Sequence, residues 1–365
     1  MAHVSRTRFV RLVVALGVLA SLLAVASAAQ ANAGGNVYRQ TNLVSDIAGV
    51  ARLTDRKLVN PWGVAAGPTT PLWVADNGSD VATIYSGAVK GSPPAIAPLV
   101  VDIPGGAPTG QVFNGTDGFV VSSGAASGPA RFIFSSEAGT ITGWSPAVPP
   151  PPPSTQAQPA AAVPDAIFKG LAIASNRQGT FLFAADFHHA TIDVFDSHFN
   201  LVHLAGSFDA HGVPDGFAPF NVQELGGRLY VAYAMQDADK EDEVAGPGLG
   251  YVNVFDTSGR FLRRLAARGP LDAPWGLALA PKGFGRFSRD LLVGNFGDGR
   301  ISAYDPHSGK FRGQLKNEDG NPIAIDGLWA LQFGNGVTGS PTDLLFTAGI
   351  ADEAHGLFGS IRAVH

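Results

Sequence analysis

Cysteine is absent from the 365-residue sequence, and methionine occurs only twice. The absence of cysteine excludes disulfide bonds, thiol nucleophiles and cysteine-ligated metal sites. The fold must therefore be stabilised by burial of a large apolar core, for which a chain of this length is sufficient. The sequence also lacks a G-x-S-x-G motif, an H-E-x-x-H motif and a phosphate-binding glycine loop, so no common catalytic motif suggests an enzyme class.

An excess of basic residues is absent as well. Lys and Arg total 25 against 30 Asp and Glu, which gives a formal net charge of −5. This mildly acidic balance argues against nucleic acid or an anionic membrane surface as a partner. Helical periodicity is almost absent after residue 33, whereas glycine (46) and proline (26) are abundant. This composition is typical of many short strands joined by turns.

Residues 1–33 have the features of an export signal. Arginines precede an apolar run from Leu12 to Ala29, and Ala31-Asn32-Ala33 matches an A-x-A cleavage pattern. We predict a cleaved signal peptide over 1–33, a mature domain over 34–365 that does not insert into a membrane, and a secreted (extracellular or periplasmic) location. A retained membrane anchor is the alternative.

A repeat of about 50 residues runs through the rest of the chain. Each unit has a glycine or asparagine at the start of a first apolar run, then a second apolar run, then a third in which alternate residues are apolar. Such period-two patterning indicates short antiparallel strands, and their regular repetition predicts propeller blades. The aligned residues are Gly63, Gly118, Gly170, Asn221, Gly276 and Gly327.

The repeat predicts an all-β fold, a six-bladed β-propeller of four-stranded blades. The blades are expected to start near residues 60, 115, 167, 218, 273 and 325. A strand-like segment over about 37–46 precedes the first unit, and the sixth unit has no fourth strand of its own. We predict that 37–46 closes the ring by joining the last blade, because closure leaves no open sheet edge. The proline-rich run 145–159 is predicted to be a stiff surface loop.

One face of the predicted ring collects the polar and aromatic candidates. In antiparallel blades, the inner-strand starts and the hairpins between the second and third strands lie on the same face. Each candidate there also has a structural explanation, such as Asx capping of a turn, tryptophan packing between blades or a polar hairpin tip. The candidate ligand-binding residues are Asp117, Asp326, Lys169, Trp62, Trp275, Asp186 and His188.

Two sets of carboxylates suggest a divalent cation such as Ca²⁺ as the only candidate cofactor. Asp117 and Asp326 stand out because the other blades have aromatic residues or lysine at the corresponding place. The loop DADKEDE begins like an EF-hand but lacks its glycine and its final glutamate, so it predicts at most a looser site; a solvated charged loop is the alternative. The loop ligands would be Asp237, Asp239 and Asp242.

Several phrases of the sequence are similar to a known group of proteins. NPWGVA, AADFHHATIDVF, LYVAYAMQDADKEDEVAGPG and LLVGNFGDG resemble a family of uncharacterised exported bacterial propellers, and the resemblance extends over residues 37–365. The blade pattern also resembles NHL-type propellers and, distantly, gluconolactonase-like propellers. The first resemblance implies a six-bladed fold and export, and it implies no activity.

The resemblance to gluconolactonases implies a divalent metal held by Glu, Asn and Asp at inner-strand starts. Asp326 and Asp117 match the Asp of that pattern, whereas Asn60, Pro61 and Trp62 stand where its Glu is expected. The sequence therefore departs from the lactonase pattern at its first position.

Two functions stay open at this stage. The favoured one is a monomeric, exported binding or scaffold module that is not an enzyme and whose rim contacts a carbohydrate, a peptide or a protein surface. The alternative is a metal-dependent hydrolase or lyase, lactonase-like, with its site in the axial channel.

Overall fold

The alternating apolar runs form strands throughout the part of the chain that the structure describes. The computed structural model describes residues 37–364 and contains 29 strands, most of them in six antiparallel sheets arranged as blades. This arrangement confirms the predicted all-β, six-bladed propeller. No helix within 37–364 is long and apolar enough to cross a membrane. The predicted signal peptide, residues 1–33, lies outside the described residues.

The strands follow one another blade by blade. The chain opens with β1 (Val37–Ser45) and β2 (Leu53–Thr54). Blade 1 contains β3 (Pro61–Ala65), β4 (Leu72–Asp76), β5 (Val81–Gly87), β6 (Pro94–Ile96) and β7 (Val101–Asp102). Blade 2 contains β8 (Pro108–Phe113), β11 (Phe132–Ser136), β12 (Thr140–Trp144) and β13 (Gln158–Ala162), with an inserted hairpin of β9 (Val120–Ser123) and β10 (Ala126–Pro129). Blade 3 contains β14 (Phe168–Asn176), β15 (Gly179–Asp186), β16 (Thr191–Phe195) and β17 (Leu201–Val202).

The second half repeats the same plan. Blade 4 contains β18 (Phe217–Glu224), β19 (Leu229–Gln236), β20 (Glu243–Val244), β21 (Tyr251–Phe255) and β22 (Phe261–Ala267). Blade 5 contains β23 (Pro274–Leu279), β24 (Leu291–Asn295), β25 (Ile301–Tyr304) and β26 (Phe311–Gln314). Blade 6 contains β27 (Leu328–Phe333), β28 (Leu344–Ile350), β29 (His355–Val364) and β1. Two 3₁₀ turns are present, at Asn77–Ser79 and Gly285–Phe287.

Each blade places its first strand next to the axis, and neighbouring first strands contact one another around the ring. We call the side on which these inner strands begin the top face. The hairpins between the second and third strands lie on the top face too, because successive strands are antiparallel. Apolar side chains fill the spaces between blades; Trp73 of blade 1, for example, stacks on Phe132 of blade 2 with ring centroids 4.1 Å apart.

The ring is closed by β1, as the sequence predicts. β1 pairs antiparallel with β29 and forms the outer part of blade 6. Tyr38 and Val44 are fully buried, and the Tyr38 hydroxyl donates a hydrogen bond to the Phe284 carbonyl of blade 5 (3.1 Å). The Asp46 carboxylate, just beyond β1, accepts a hydrogen bond from the Gly356 backbone N–H (2.9 Å). The first and last strands of the described chain thus form one sheet.

Blade 2 begins earlier than the predicted position near residue 115. Its inner strand is β8, and Gly110 takes the axial place that the repeat alignment gave to Gly118. The run TDGFVVSSG instead leads into the β9–β10 hairpin, which is inserted between the first and second strands of the blade. The alignment was wrong because this hairpin has a glycine followed by apolar residues, while β8 carries the polar Gln111.

Blade 6 is also shifted relative to the prediction. Ala330 takes the axial place in this blade. Trp329, the residue just before it, faces the axial glycine of blade 5, since a Cβ on Gly276 would lie 2.6 Å from the Trp329 carbonyl oxygen. Gly327, which the alignment used, lies in the turn before β27 with a φ of +58°. The sequence alignment missed this position because Ala330 is an alanine, whereas the other aligned positions are glycine or asparagine.

Inner strands approach so closely that side chains are excluded at axial glycines. A Cβ on Gly110 would lie 2.2 Å from the backbone nitrogen of Leu171, and one on Gly63 would lie 2.3 Å from the carbonyl oxygen of Thr109. Real Cβ atoms do not approach backbone so closely, because packed interiors leave no spare volume. The recurrence of glycine in the repeat therefore reflects contact between neighbouring blades.

Replacement of an axial glycine should destabilise the ring. We expect Gly110→Ala to lower the free energy of unfolding by about 1–3 kcal/mol, the usual cost of overpacking. Gly115→Ala is the matched control, because its Cβ would meet only the Phe113 ring, at an ordinary 3.5 Å. Urea denaturation of both variants measures the difference, and equal losses would contradict this explanation.

The proline-rich loop is exposed but anchored. Pro150 to Pro153 are exposed, as expected of a surface loop. Val148 and Ser154 are buried at its two ends, and the Ser154 carbonyl accepts a hydrogen bond from the Trp144 indole N–H (2.8 Å). The loop therefore packs against its own blade.

Candidate functional site

Large aromatic side chains fill the axis just below the top face. Trp62, Trp275 and Trp329 occupy equivalent places at the starts of three inner strands, each no more than 4% exposed. The rings of Trp62 and Trp329 stack with centroids 3.6 Å apart, and Trp275 meets both edge-on. This aromatic plug is completed by Phe220 at the start of the blade 4 strand. The axis is therefore closed by packed rings rather than open as a channel.

Trp329 was missed by the sequence alignment. The alignment gave its place to Asp326, although Trp329-Ala330-Leu331 matches Trp275-Gly276-Leu277 once alanine is allowed in place of glycine. The packing role that the sequence suggested for Trp62 and Trp275 agrees with their burial in the plug. The Trp62 indole Nε1, however, has no hydrogen-bond partner within residues 37–364.

Lys169 lies at the centre of the top face, on β14, and is only 1% exposed. Its ammonium donates hydrogen bonds to Glu137 Oε1 (2.6 Å) and Asp242 Oδ1 (2.9 Å), and lies 5.3 Å from the Trp62 ring centroid. Burial by itself would lower the pKa of Lys169, but the nearby carboxylates of Glu137, Glu243 and Asp242 more than offset burial and raise it. The lysine is therefore held as a charged group beneath the top face.

A chain of hydrogen bonds continues from Lys169 across the neighbouring blades. Asn77 donates from Nδ2 to Glu137 Oε2 (2.9 Å), and Asn60 donates from Nδ2 to Glu353 Oε2 (2.6 Å). The two asparagines meet at 3.3 Å between Asn60 Nδ2 and Asn77 Oδ1. Glu353, Asn60, Asn77, Glu137, Lys169 and Asp242 therefore link blades 6, 1, 2, 3 and 4.

An acidic cavity of about 700 Å³ opens above the plug. We call it the axial cavity; it is lined by Trp62, Glu137, Ile167, Glu241, Asp242, Glu243 and Glu353. Five of these seven side chains are carboxylic acids, and none is basic. They come from hairpins on blades 2, 4 and 6, which the ring brings together although they are distant in the sequence.

Burial in this cavity changes the acidity of two glutamates. Burial raises the pKa of Glu243 to about 8, opposed by the charge of Lys169. Burial also raises the pKa of Glu353, with the hydrogen bond from Asn60 opposing it and the charge of Glu137 adding to it. Near neutral pH the Glu243 carboxyl group is therefore mostly protonated.

The acidic loop is folded over the cavity by local hydrogen bonds. Asp237 Oδ1 accepts from the Glu241 backbone N–H (2.9 Å), which makes Asp237 a turn-capping residue. Asp242 points to Lys169, and Asp239 is exposed. The structure therefore does not bring Asp237, Asp239 and Asp242 together as one ligand set, and only Asp242 of the three lines the axial cavity.

Asp117 and Asp326 do not lie together at the axial mouth, so their predicted placement was wrong. Asp117 follows the end of β8, its side chain is 98% exposed, and it lies 3.6 Å from Arg131. Asp326 is on the top face, where its Oδ2 accepts a hydrogen bond from the Ala351 backbone N–H (2.8 Å). Both misplacements follow from the shifted alignment of blades 2 and 6. The residues that directly precede the axial Gly110 and Ala330 are Thr109 and Trp329, not Asp117 and Asp326.

Asp186 and His188 are structural parts of the β15–β16 hairpin. Asp186 is fully buried and accepts hydrogen bonds from the backbone N–H groups of Ile167 (3.3 Å) and His189 (3.1 Å). His188 is half-buried, and its carbonyl faces the Gln236 amide. Neither residue lines the axial cavity.

The carboxylates of the top face are not preassembled around a metal. Within residues 37–364, no group of three or more His, Asp or Glu side chains is arranged to hold a metal ion. The acids are instead spread around the cavity wall and tied to Lys169, Asn60 and Asn77. The arrangement thus offers separated negative charges around an open volume.

Two proteins of Acanthamoeba polyphaga mimivirus are similar to the chain over most of its length. Both are described as uncharacterized. One is 34% identical over 331 residues, which cover 87% of this chain and 78% of the viral protein. The other is 32% identical over 334 residues, 89% of this chain and 85% of the viral protein. These relatives are viral and do not support the expectation of a bacterial family. No protein-family model matches the sequence.

Solved structures resemble the chain at low sequence identity. The soluble aldose sugar dehydrogenase of Escherichia coli has a TM-score of 0.52 and 11% identity, covering 90% of this chain and all of that one (100%). A streptogramin B lyase has a TM-score of 0.47 and 10% identity, over 89% of this chain and 97% of the lyase. At such identities the likeness to the dehydrogenase concerns the propeller architecture alone.

Proposed function

Because the chain belongs to the same family as the two uncharacterized mimivirus proteins, which bring no activity with them, we propose a function from the axial cavity: the protein is a binding module for a small organic cation. The ligand class is a primary ammonium or guanidinium group. The observation that carries this proposal is the lining of the axial cavity, five carboxylic acids with no basic residue among them.

The charge of the cavity favours a cation. Lys169 beneath the cavity compensates Glu137 and Asp242, with which it forms ion pairs. Glu241 and Glu353 have no such basic partner within residues 37–364. Glu243 has none there either, and its carboxyl group adds a negative charge only as the pH rises through about 8. Clefts lined by charges of one sign focus the field and concentrate ligands of opposite charge.

The shape and floor of the cavity suit an organic ligand. Its volume, about 700 Å³, is in the range of small-molecule sites. Trp62 contributes an aromatic side chain to the lining, although it is 2% exposed and stacks on Trp329, and Lys169 lies 5.3 Å from its ring centroid. Ion pairs beside an aromatic wall are the features that bind organic ammonium groups.

A metal ion is the second candidate ligand for this face. Ca²⁺ takes six to eight oxygen ligands. The described carboxylates form no group of three placed to supply them, so calcium binding would require the side chains to move together. For this reason we favour an organic cation over calcium as the ligand. For the same reason we favour a binding module over a metal-dependent hydrolase or lyase. Export and a monomeric state are further parts of this proposal.

Calorimetric titration with putrescine, a diammonium, tests the proposal. We expect saturable binding of putrescine and none of 1,4-butanediol, which has the same carbon chain without charge. Glu353→Gln should weaken binding by about tenfold, because it removes a half-buried charge. Glu241→Gln, at an exposed position, should weaken it by only about threefold.

Asp239→Asn is the matched control for these variants. It removes the same charge from the same acidic loop at a position outside the cavity lining, so the affinity should be nearly unchanged. If neither putrescine nor agmatine, which adds a guanidinium, binds, the proposal is wrong. Binding of CaCl₂ without binding of either amine would assign the cavity to a metal instead.

Glu243 should make cation binding depend on pH. Its pKa of about 8 means that the carboxyl ionises in the folded protein only as the pH rises through about 8. An alkylammonium stays charged there, because a lysine-like amine has a pKa of about 10.4. The groups facing Glu243 are Lys169, Glu353 and Asp242. We therefore expect putrescine affinity to rise from pH 6 to pH 9, with release of a proton.

The raised pKa of Glu243 has the opposite effect on stability: as the pH rises, stability falls while putrescine affinity increases. An unfolded Glu has a pKa of about 4.3, so between about pH 4.3 and 8 the folded state holds a proton that the unfolded state has lost. The contribution of Glu243 to the free energy of unfolding therefore falls as the pH rises through this window. Glu243→Gln should flatten both trends; titration in two buffers of different ionisation enthalpy measures the proton release, and a pH-independent affinity would contradict the role of Glu243.

A further inference from the structure

A second cavity, of about 490 Å³, lies where the last blade meets the first. We call it the seam cavity. It lies between strands β1 and β29 of blade 6, the segment that joins β1 to β2, and the β5–β6 turn of blade 1. Its polar side chains are Arg39, Thr41, Arg52, Ser92, Ser360 and Arg362. We propose that the seam cavity binds a small phosphate or sulfate ester.

The pairing of β1 with β29 brings two arginines together. Arg39 lies directly opposite Arg362, and Thr41 lies directly opposite Ser360. All four side chains line the cavity. Like charges directly opposite each other on a sheet repel, so this pair needs anionic partners. Two adjacent guanidinium groups and two hydroxyls therefore lie on one face of the paired strands. Together they can donate hydrogen bonds to an oxyanion.

Each of the paired arginines forms hydrogen bonds to one carboxylate and retains N–H groups that donate to no other described residue. Glu318 accepts hydrogen bonds from Arg39 Nε (2.8 Å) and Nη2 (2.7 Å). Asp343 accepts from the Nε (2.7 Å) and Nη2 atoms of Arg362. The Nη1 atoms donate to no group within residues 37–364. The carboxylates therefore orient the guanidinium planes and leave one edge of each open.

A third arginine gives the site a net positive charge, because Glu318 and Asp343 each neutralise one of the paired arginines and Arg52 remains. Arg52 is exposed and has neither an ion pair nor a side-chain hydrogen bond within the described residues. No Asp or Glu lines the cavity, although the protein as a whole carries a net charge of −5. This local excess of positive charge is opposite to the overall charge, so it favours an anion specifically at the seam.

The donor set fits a tetrahedral oxyanion better than a carboxylate. Phosphate and sulfate offer three or four acceptor oxygens, and arginine binds such groups through directed pairs of N–H bonds. Three arginines and the hydroxyls of Thr41 and Ser360 supply donors from several directions, while the Ser92 hydroxyl donates to the Val89 carbonyl (2.7 Å). The cavity is also larger than one oxyanion, and Leu43 and Ala88 add apolar wall, so the ligand carries a small organic group on its phosphate or sulfate.

Binding at this place should strengthen the ring closure. The cavity is shared by the first strand, the last strand and the first blade, so an occupant contacts all three. A ligand that binds only the folded ring raises its stability by mass action. A rise in melting temperature with phosphate or sulfate, at constant ionic strength against chloride, is therefore expected.

The test uses the full chain with glycerol 3-phosphate, inorganic phosphate and sodium sulfate as probes, and glycerol as the uncharged match. Calorimetry should show saturable binding of the charged probes and none of glycerol. Arg52→Gln should weaken glycerol 3-phosphate binding at least about tenfold. Thr41→Val should weaken it less, and both variants should keep the wild-type melting temperature without ligand.

Arg56→Gln is the matched control, because Arg56 is an exposed arginine just beyond β2 and does not line the cavity. Its affinity should equal that of the wild type. An equal loss in Arg56→Gln and Arg52→Gln would show diffuse attraction rather than a site. Absence of saturable binding of all three charged probes would overturn the proposal. Preference for sulfate over phosphate, or the reverse, decides which ester the site takes.

Discussion

Deletion of residues 37–46 is expected to abolish the cooperative unfolding of the propeller. The segment supplies the strand that closes blade 6, and Tyr38, Leu43 and Val44 within it are each at most 1% exposed. Burial of such a side chain contributes roughly 1.5–3 kcal/mol, and a whole domain is stable by only about 5–15 kcal/mol. The loss of three therefore removes a large part of the stability.

The deletion would also expose the pairing edge of β29. An uncovered strand edge offers free N–H and C=O groups and promotes association between chains. Thermal denaturation followed by circular dichroism should show a broad transition at a much lower temperature, and size-exclusion chromatography should show aggregates. A melting temperature equal to that of the intact protein would contradict the closure.

Two substitutions on β1 separate closure from the mere loss of a terminal segment. Val44→Asp places a charge at a fully buried position, whereas Gln40→Asp places the same charge at an exposed position of the same strand. Burial of an unpaired charge is strongly unfavourable. We expect Val44→Asp to lower the melting temperature sharply and Gln40→Asp to change it little. Equal effects would mean that charge on the strand, and not its burial, decides the result.

The fold was predictable because its information is local. Each strand leaves a period-two pattern, and close contact at the axis restricts the aligned position to glycine in several blades, as at Gly63 and Gly170. The repeat alignment failed in the two blades where the local sequence does not indicate a residue's position in the ring. The β9–β10 hairpin imitates a repeat, and Ala330 replaces the axial glycine.

The site was less predictable because it depends on distances between blades. The sequence pointed to Lys169, Trp62 and Trp275, and these do meet at the top face. Glu353 and Glu137 come from different blades, and no spacing in the sequence shows that they share a cavity wall. Asp117 was favoured because it broke the repeat, but the repeat itself was misaligned there.

Replacement of the buried lysine should have opposite effects on stability and on ligand binding. Lys169→Met removes the ammonium group that donates hydrogen bonds to both Glu137 and Asp242. Removing one partner of a fully buried ion pair costs about 3–5 kcal/mol. Here Asp242 is 72% exposed and Glu137 is 29% exposed, so both can regain water, and we expect a loss of about 2 kcal/mol in the free energy of unfolding. Urea denaturation measures this loss.

A double variant tests whether that loss comes from the ion pair. Lys169→Met combined with Glu137→Gln removes both charges, and the loss of two matched partners is usually less costly than the sum of the single losses. We therefore expect the double variant to be more stable than the two separate losses predict. Strict additivity would show that the pair with Glu137 contributes nothing, and that the loss in Lys169→Met comes from the pair with Asp242 and from packing on Trp62.

Affinity for putrescine should rise in Lys169→Met even though stability falls. The variant removes the positive charge nearest the axial cavity and leaves all five acids in place. Charges a few ångströms apart near a protein surface interact by a few kcal/mol, so an increase of at least about tenfold is expected. Lys310→Met, which removes an exposed lysine of blade 5, should leave the affinity unchanged. A weaker putrescine affinity in Lys169→Met would contradict the expected charge repulsion. It would mean that Lys169 supports cation binding by holding the Glu137 and Asp242 carboxylates in place.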